Sequence, residues 1–272
     1  MSYYKLLGFN KEPFSTSPDP DFFFASEDHR RALLRTMIEV RLKRGLSVIL
    51  GDVGIGKTTL SRKLFQMLKE RHDVISHMVL DPVYDSQELF LESLLRIFGV
   101  KVSAKANILD LKIAIKNYLF QKGVREKKTI VLLIDEAQKL DNKTLETLRL
   151  FLNYETNDHK LLQVVLMGQN ELLDKIRAMK NLWDRAAFKC VLRPFTEDET
   201  IQMVNFRIKQ AGYCLGQPLF YGDALKEIYN FSSGYPRRTV MACHNALKKL
   251  AISNERFIAK RGVKELLACE IF

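Results

Sequence analysis

Gly51-Asp52-Val53-Gly54-Ile55-Gly56-Lys57-Thr58 fills every fixed position of the spacing GxxxxGK(S/T). An apolar run, Leu46–Leu50, stands before it, and a stretch with helical periodicity, Thr58–Arg71, follows. The spacing has a chemical reason. Glycines let the chain wrap until successive backbone N–H groups face phosphate oxygens, and the helix N-terminus adds its partial positive charge. Lys57 reaches the outer phosphates as a mobile point charge, and Thr58, with Thr59 behind it, brings a hydroxyl to a divalent cation. The competing reading, a glycine-rich turn with a chance lysine, requires the flanking strand and helix to be coincidental. Residues Gly51 to Thr59 are therefore assigned to the phosphates of a nucleotide.

A second motif lies where the first predicts it. Thr129-Ile130-Val131-Leu132-Leu133-Ile134 is an apolar strand that ends in Asp135-Glu136. Open parallel sheets bind ligands at the carboxyl edge of their strands, which is where these two carboxylates fall. Asp135 is assigned to Mg²⁺ together with Thr58. Glu136 is assigned to polarising a water, the step that separates a hydrolase from a passive nucleotide binder. The bland alternative is that the pair only caps the next helix.

Outward from these motifs, short apolar strands alternate with helices, the pattern of a parallel sheet covered on both faces. The strands are expected at Leu46–Leu50, Val74–Leu80, Thr129–Ile134, Leu162–Met167 and Lys189–Leu192. Helices are expected at Thr58–Arg71, Ser86–Phe98, Ile108–Gln121 and Lys143–Tyr154. Residues 1–28 carry Pro13, Pro18 and Pro20 beside Phe14, Phe22, Phe23 and Phe24. Such proline density reads as an extended strap whose aromatics want burial. A helix follows, with Ser26 as its N-cap and Gly45 as its stop. After Pro194 the pattern changes: Thr196-Glu197-Asp198-Glu199 is a capping box, and helices alone continue. The division is thus a strap at 1–28, an α/β core at 29–195 and a helical domain at 196–272.

The composition fits a globular protein, 47% hydrophobic and 28% charged. No apolar run approaches the roughly 18 residues of a membrane span, and the start lacks a signal-peptide pattern, so a cytoplasmic location is expected. Cys190, Cys214, Cys243 and Cys269 stand apart with no metal spacing and read as thiols filling the core. The net charge of +11 is spread along the chain, with eleven Lys/Arg against eight Asp/Glu from residue 196 onward. A basic balance suits nucleic acid or an acidic membrane face.

With both motifs placed, the chain resembles the AAA+ superfamily and, within it, the ExeA/GspA-like ATPases named for general secretion pathway protein A. The resemblance covers nearly the whole chain. It rests on Leu7-Gly8-Phe9, Pro13-Phe14 and Pro18-Asp19-Pro20-Asp21-Phe22 at the start. Asp135-Glu136-Ala137-Gln138, Gly168-Gln169-Asn170-Glu171-Leu172 and Ser232-Ser233-Gly234-Tyr235-Pro236-Arg237 follow in order. It implies an AAA+ core, a five-stranded parallel sheet flanked by helices, with a small all-helical lid domain. It also implies ATP and Mg²⁺ as cofactors and a homo-oligomer, ring or filament, as the working form.

Three further site residues come from the resemblance. Gln169 falls at the sensor 1 position, where it meets the γ-phosphate or the water, or else only satisfies backbone groups in a turn. Arg237 falls at sensor 2, with Arg238 able to exchange roles with it. Arg185 falls where an arginine finger reaches a neighbour's ATP, although Arg177, Lys180 and Lys189 lie close by. Longer family members continue into a membrane span and a peptidoglycan-binding region, neither of which is expected here. Short relatives are MshM-like, of pilus assembly, or TniB/TnsC-like, helping transposases choose DNA targets. The charge favours a DNA-associated regulator with duplex DNA and a transposase as partners. The alternative is an ATPase energising secretion or type IV pilus proteins at the inner membrane. A nucleotide switch without turnover is disfavoured by Glu136.

Lys57→Ala should abolish tight ATP binding, because the loop loses the mobile cation that meets the γ-phosphate. Titration with a fluorescent ATP analogue measures this, and near-normal affinity would remove the phosphate-loop assignment.

Overall fold

The computed structural model describes residues 2–213, 217–253 and 257–269. Five strands form one parallel sheet: β1 (Leu46–Leu50), β2 (Val74–Val79), β3 (Thr129–Ile134), β4 (Leu162–Gly168) and β5 (Ala186–Val191), in the order β2-β3-β4-β1-β5. Every residue of β1, β3 and β4 is buried, as strands covered on both faces must be. The two outer strands are wetter, and β5 alternates buried with accessible residues along its first half. That alternation explains why β5 begins three residues before the expected Lys189. An edge strand carries a period of two, whereas an apolar run marks only its final residues.

The helices, in chain order, begin with α1 (Tyr3–Leu6), α2 (Glu27–Arg41), α3 (Lys57–Lys69) and α4 (Gln87–Ile97). Next come α5 (Ile108–Phe120), α6 (Asn142–Phe151), α7 (Asn170–Ala178) and α8 (Lys180–Trp183). The last four are α9 (Glu197–Gln210), α10 (Gly222–Ser232), α11 (Pro236–Ser253) and α12 (Lys260–Cys269). Local chemistry starts several of them. The Ser86 hydroxyl accepts from Leu89 N–H, and capping boxes open α5 at Asn107/Asp110 and α9 at Thr196/Glu199.

The chain divides into two compact units. The sheet unit holds Asp28–Asp52 and Leu60–Leu192. Parallel neighbours need crossovers, and α4 to α7 supply them. Their buried faces (Leu94, Ile115, Leu148, Leu172) join Val48, Leu132 and Val164 of the sheet in one core. The alternating residues Ile49, Val131, Leu133 and Val165 are as deeply buried and face the other side. Gln163, within β4, is buried and satisfied: its side chain accepts from Gly45 N–H at 2.7 Å and donates to Lys160 O at 2.9 Å.

The helical unit holds the residues before Asp28, the segment Val53–Thr59, and those from Arg193 onward. Phe9, Phe14 and Phe22 from the N-terminal segment sit in its core with Phe195, Met203, Ile228 and Val240. Arg207 of α9 holds that segment in place. Its guanidinium donates to Pro13 O at 2.8 Å and Ser15 O at 3.0 Å and lies over the Phe22 ring. Burial lowers its pKa to about 10. The segment is not extended throughout, as the sequence reading had it. Residues Tyr3–Leu6 form a helical turn ahead of the first proline, and Pro20–Phe22 form a 3₁₀ turn. Proline is tolerated there because the first turn of a helix needs no N–H donor at that position. Cys243 is fully buried and Cys190 half-buried, burial pushing the Cys190 thiol up to about 12. Cys214 and the side chain of Cys269 lie outside the described residues.

Phe14 is fully buried and meets Phe220 edge-on at 6.1 Å. Phe14→Ala should cost the protein about 3–5 kcal/mol, the range for emptying a buried aromatic site. Urea unfolding measures it, and a loss below about 1 kcal/mol would show that the N-terminal segment is not part of the core.

Candidate nucleotide site

Strand order decides which loops meet. With β4 between β3 and β1, the chain leaves three adjacent strands at one edge, through Gly51, Asp135 and Gln169. β1 and β4 are stitched at that edge: Gly51 N–H donates to Gly168 O at 3.2 Å. Asn170 Nδ2 reaches Asp52 Oδ1 at 2.9 Å, tying the first loop to the start of α7. In the loop, Gly54 and Gly56 have φ of 79° and 101°, a left-handed backbone that glycine adopts without strain. Lys57 opens α3 and is only 5% exposed. A buried ammonium next to a turn of left-handed glycines is a donor set for polyanionic phosphate, so the residues fit the nucleotide that the motif implies.

Within the helical unit, Arg237 lies against this loop. Its backbone N–H donates to Gly54 O at 3.1 Å, and a Cβ added at Gly54 would meet Arg237 Cβ at 3.1 Å. Arg238, which the sequence left as an alternative, lies with its guanidinium over the Tyr235 ring at 5.3 Å.

In the sheet unit, Ser61, one turn into α3, points its hydroxyl at Asp135 Oδ2 at 3.3 Å; both residues are 1% exposed. A carboxylate so deeply buried must be compensated, and a divalent cation does this as well as hydrogen bonds do. Among the described residues no group of three or more His, Cys, Asp or Glu forms a metal cage. The buried Asp135 carboxylate with a hydroxyl beside it fits Mg²⁺, which takes one or two protein oxygens and fills its remaining positions with phosphate and water. Glu136 has φ 51° and ψ 35°, left-handed for a non-glycine residue, and its N–H donates to Asp135 Oδ1 at 3.0 Å. Its carboxylate accepts from Gln138 Nε2 at 2.7 Å. Gln169 closes β4 and precedes α7 without a side-chain capping bond.

Arg185 lies elsewhere. It precedes β5 and therefore stands at the amino edge of the sheet, the edge opposite Asp135 and Glu136. Its guanidinium donates to Asn181 O at 2.9 Å and Asn153 Oδ1 at 2.7 Å. It borders a cavity of about 730 Å³ of mixed charge, lined by Lys43, Arg44 and Lys160 and by Glu155, Asp158 and Asp184. Two of the competing cations are engaged differently: Arg177 and Lys189 flank the Trp183 ring at 5.5 and 4.4 Å.

The sequence reading assigned no role to Ser61, Gln138, Asn170 or Lys175. Ser61 follows Thr58 by three residues, hence on the same helix face, a signal that was available. Asn170 and Lys175 meet their partners, and Gln138 meets Gln169, only through strand order.

A parallel 2-3-4-1-5 sheet carrying a phosphate loop after its first strand defines a class of nucleoside-triphosphate-binding proteins. Residues 40–176 match the family described as AAA domain, and the chain belongs to that family of ATPases. It is 34% identical over 247 residues to general secretion pathway protein A of Aeromonas hydrophila, a match that takes in 90% of this chain and 44% of that protein. This chain thus spans less than half of that relative's length. Among solved structures it is similar to Cdc6p from Pyrobaculum aerophilum (TM-score 0.72, 16% identity, 93% of this chain and 69% of that one). It is also similar to the Aeropyrum pernix ORC1 protein in complex with DNA (TM-score 0.66, 15% identity, 95% and 69%). At these identities the structural likeness concerns the fold. No helix among the described residues is long and apolar enough to cross a membrane.

Proposed function

We propose that the protein is an oligomeric AAA+ ATPase that binds ATP with Mg²⁺, hydrolyses it between neighbouring copies, and regulates a transaction on duplex DNA in the cytoplasm, such as target choice by a transposase. The peptide N–H groups of residues 51–59 and the Lys57 ammonium hold the phosphates. Thr58 and Asp135 would hold Mg²⁺, which would supply the positive charge that offsets the phosphates. Glu136 takes the proton of the attacking water. Gln169 orients that water or the γ-phosphate, and Arg237 ties the helical unit to the nucleotide.

The observation that supports hydrolysis between copies is the separation of Arg185 from Glu136 along the sheet. β5 has six residues, on the order of 20 Å, and Arg185 precedes it while Glu136 follows β3 at the other edge. An arginine so far from its own subunit's carboxylate serves a neighbour's γ-phosphate.

The DNA reading draws on how charge is arranged within the sheet unit. Arg41, Lys43 and Arg44 lead into β1, and Lys122, Arg125, Lys127 and Lys128 lead into β3 with Glu126 as the one carboxylate among them. The opposite edge carries Asp81, Asp85, Asp135, Glu136 and Asp141. Basic residues at the entries to these two strands would meet phosphates without reading bases. The similarity to an ORC1 protein solved with DNA supports the same reading. A second reading, an ATPase serving secretion or type IV pilus assembly, draws on the 34% identity to general secretion pathway protein A.

Two measurements test these proposals. Arg185→Ala should lower turnover by about 10³–10⁵, the scale of trans-acting arginines, while sparing ATP affinity. Mixing it with Glu136→Gln should restore part of the activity, because a mixed interface pairs an intact Glu136 with an intact Arg185. An Arg185→Ala protein as active as wild type would sink the trans assignment. For DNA, affinity for plain duplex should fall by orders of magnitude between roughly 50 and 200 mM salt, and Lys127→Glu with Lys128→Glu should flatten that slope. Absence of binding at low salt with ATP present leaves the secretion reading.

A further inference from the structure

Gln138 closes the Asp135-Glu136-Ala137-Gln138 stretch, yet the chemistry assigned to Asp135 and Glu136 leaves it without a role. Its side-chain amide lies between two groups of the carboxyl edge. Nε2 donates to Glu136 Oε2 at 2.7 Å, and Oε1 accepts from the backbone N–H of Gln169 at 3.1 Å. Chemistry alone orients the amide. A backbone N–H can only donate, so the oxygen must face Gln169, which leaves the NH₂ for Glu136. An NH₂ in turn requires Glu136 to accept. One oxygen of that carboxylate is thereby held, and the other is left to take a proton.

The surroundings are built to hold this amide. A Cβ at Gly168 would lie 2.7 Å from Leu172 Cδ2, 3.1 Å from Gln138 Oε1 and 3.2 Å from Gln138 N, so Gln138 packs closely against a position without a side chain. Lys175, on α7, donates to the carbonyls of Gln138 at 2.6 Å and Leu140 at 2.9 Å. The 3₁₀ turn Ala137–Lys139 is thus fastened to the helix that Gln169 precedes. Glu136 itself has a left-handed backbone, a strained conformation that persists where the surroundings over-determine it.

We infer that Gln138 is a positioning residue that fixes the Glu136 carboxylate and couples it to the turn bearing Gln169, so that the base and the candidate sensor move as one. The inference rests on Glu136 acting as the base. A displacement of the β4–α7 turn withdraws the N–H that anchors the amide, and the carboxylate then loses its orientation. Misplacing a reacting group by about 1 Å costs on the order of 10²-fold, so such coupling is sufficient to gate turnover.

The experiment is a cycle of Gln138→Met and Glu136→Gln in the full chain. Methionine nearly conserves volume and removes both hydrogen bonds. Gln138→Met should lower kcat roughly 10–100-fold, with KM and ATP-analogue affinity within about twofold. In the Glu136→Gln background the same change should have no further effect, because the group it positions no longer acts. Gln138→Glu, which keeps the acceptor for Gln169 N–H and turns an oxygen toward Glu136, should lower kcat by a similar factor and serves if the methionine variant does not fold. Losses that multiply in the double variant, or a Gln138→Met kcat equal to or above wild type, overturn the coupling while leaving the base in place. A Glu136→Gln protein with wild-type turnover overturns the base assignment and the coupling with it.

Discussion

Parallel strands cannot close on themselves through tight turns, and that constraint organises this molecule. Each strand must be followed by a crossover long enough to return to the same edge, so every strand leaves the sheet on one side and enters on the other. Placing β4 between β1 and β3 then brings three exits together: Gly51, Asp135 and Gln169. The same directionality sends the strand entries, with Lys43, Arg44, Lys127 and Arg185, to the opposite edge. Two edges with different residues follow, one carrying Asp135 and Glu136 and the other carrying the basic entries to β1 and β3.

Buried charge is the second organising theme. Lys57 and Asp135 are nearly inaccessible, and such ions are tolerated only where partners compensate them. Ser61 supplies one for Asp135. Fixed dipoles that already point at the charge need not reorganise when phosphate arrives, which is how a site of this kind favours the reacting state over water. The Glu136–Gln138–Gln169 chain extends the same logic from binding to orientation. It uses neutral amides, whose geometry is directional and whose desolvation costs less than that of another ion.

The helical unit solves a different problem. Its core takes three phenylalanines from the first 22 residues, and Arg207 spends its guanidinium on two carbonyls of that segment and on the face of Phe22. Prolines deprive the segment of regular backbone pairing, so side-chain burial and one buried arginine hold it in place.

What the sequence determined by itself was everything carried by short-range pattern. The phosphate loop is a spacing, and its strand and helix flank it directly in the chain. β1 and β3 were legible to the residue, because a strand buried on both faces is a mostly apolar run without alternation. Caps such as Thr196/Glu199 were legible because both partners lie within one turn. Tertiary structure decided the rest. β5 begins at Ala186 because it lies at an edge, where alternation replaces the run. Gln138 and Gln169 are 31 residues apart in the chain, and only the pairing of β3 with β4 brings them to hydrogen-bonding distance. Arg185 reads as one cation among several until the parallel sheet assigns it an edge. Pattern reports which face of an element is buried, whereas strand order, settled by long-range packing, determines which elements meet.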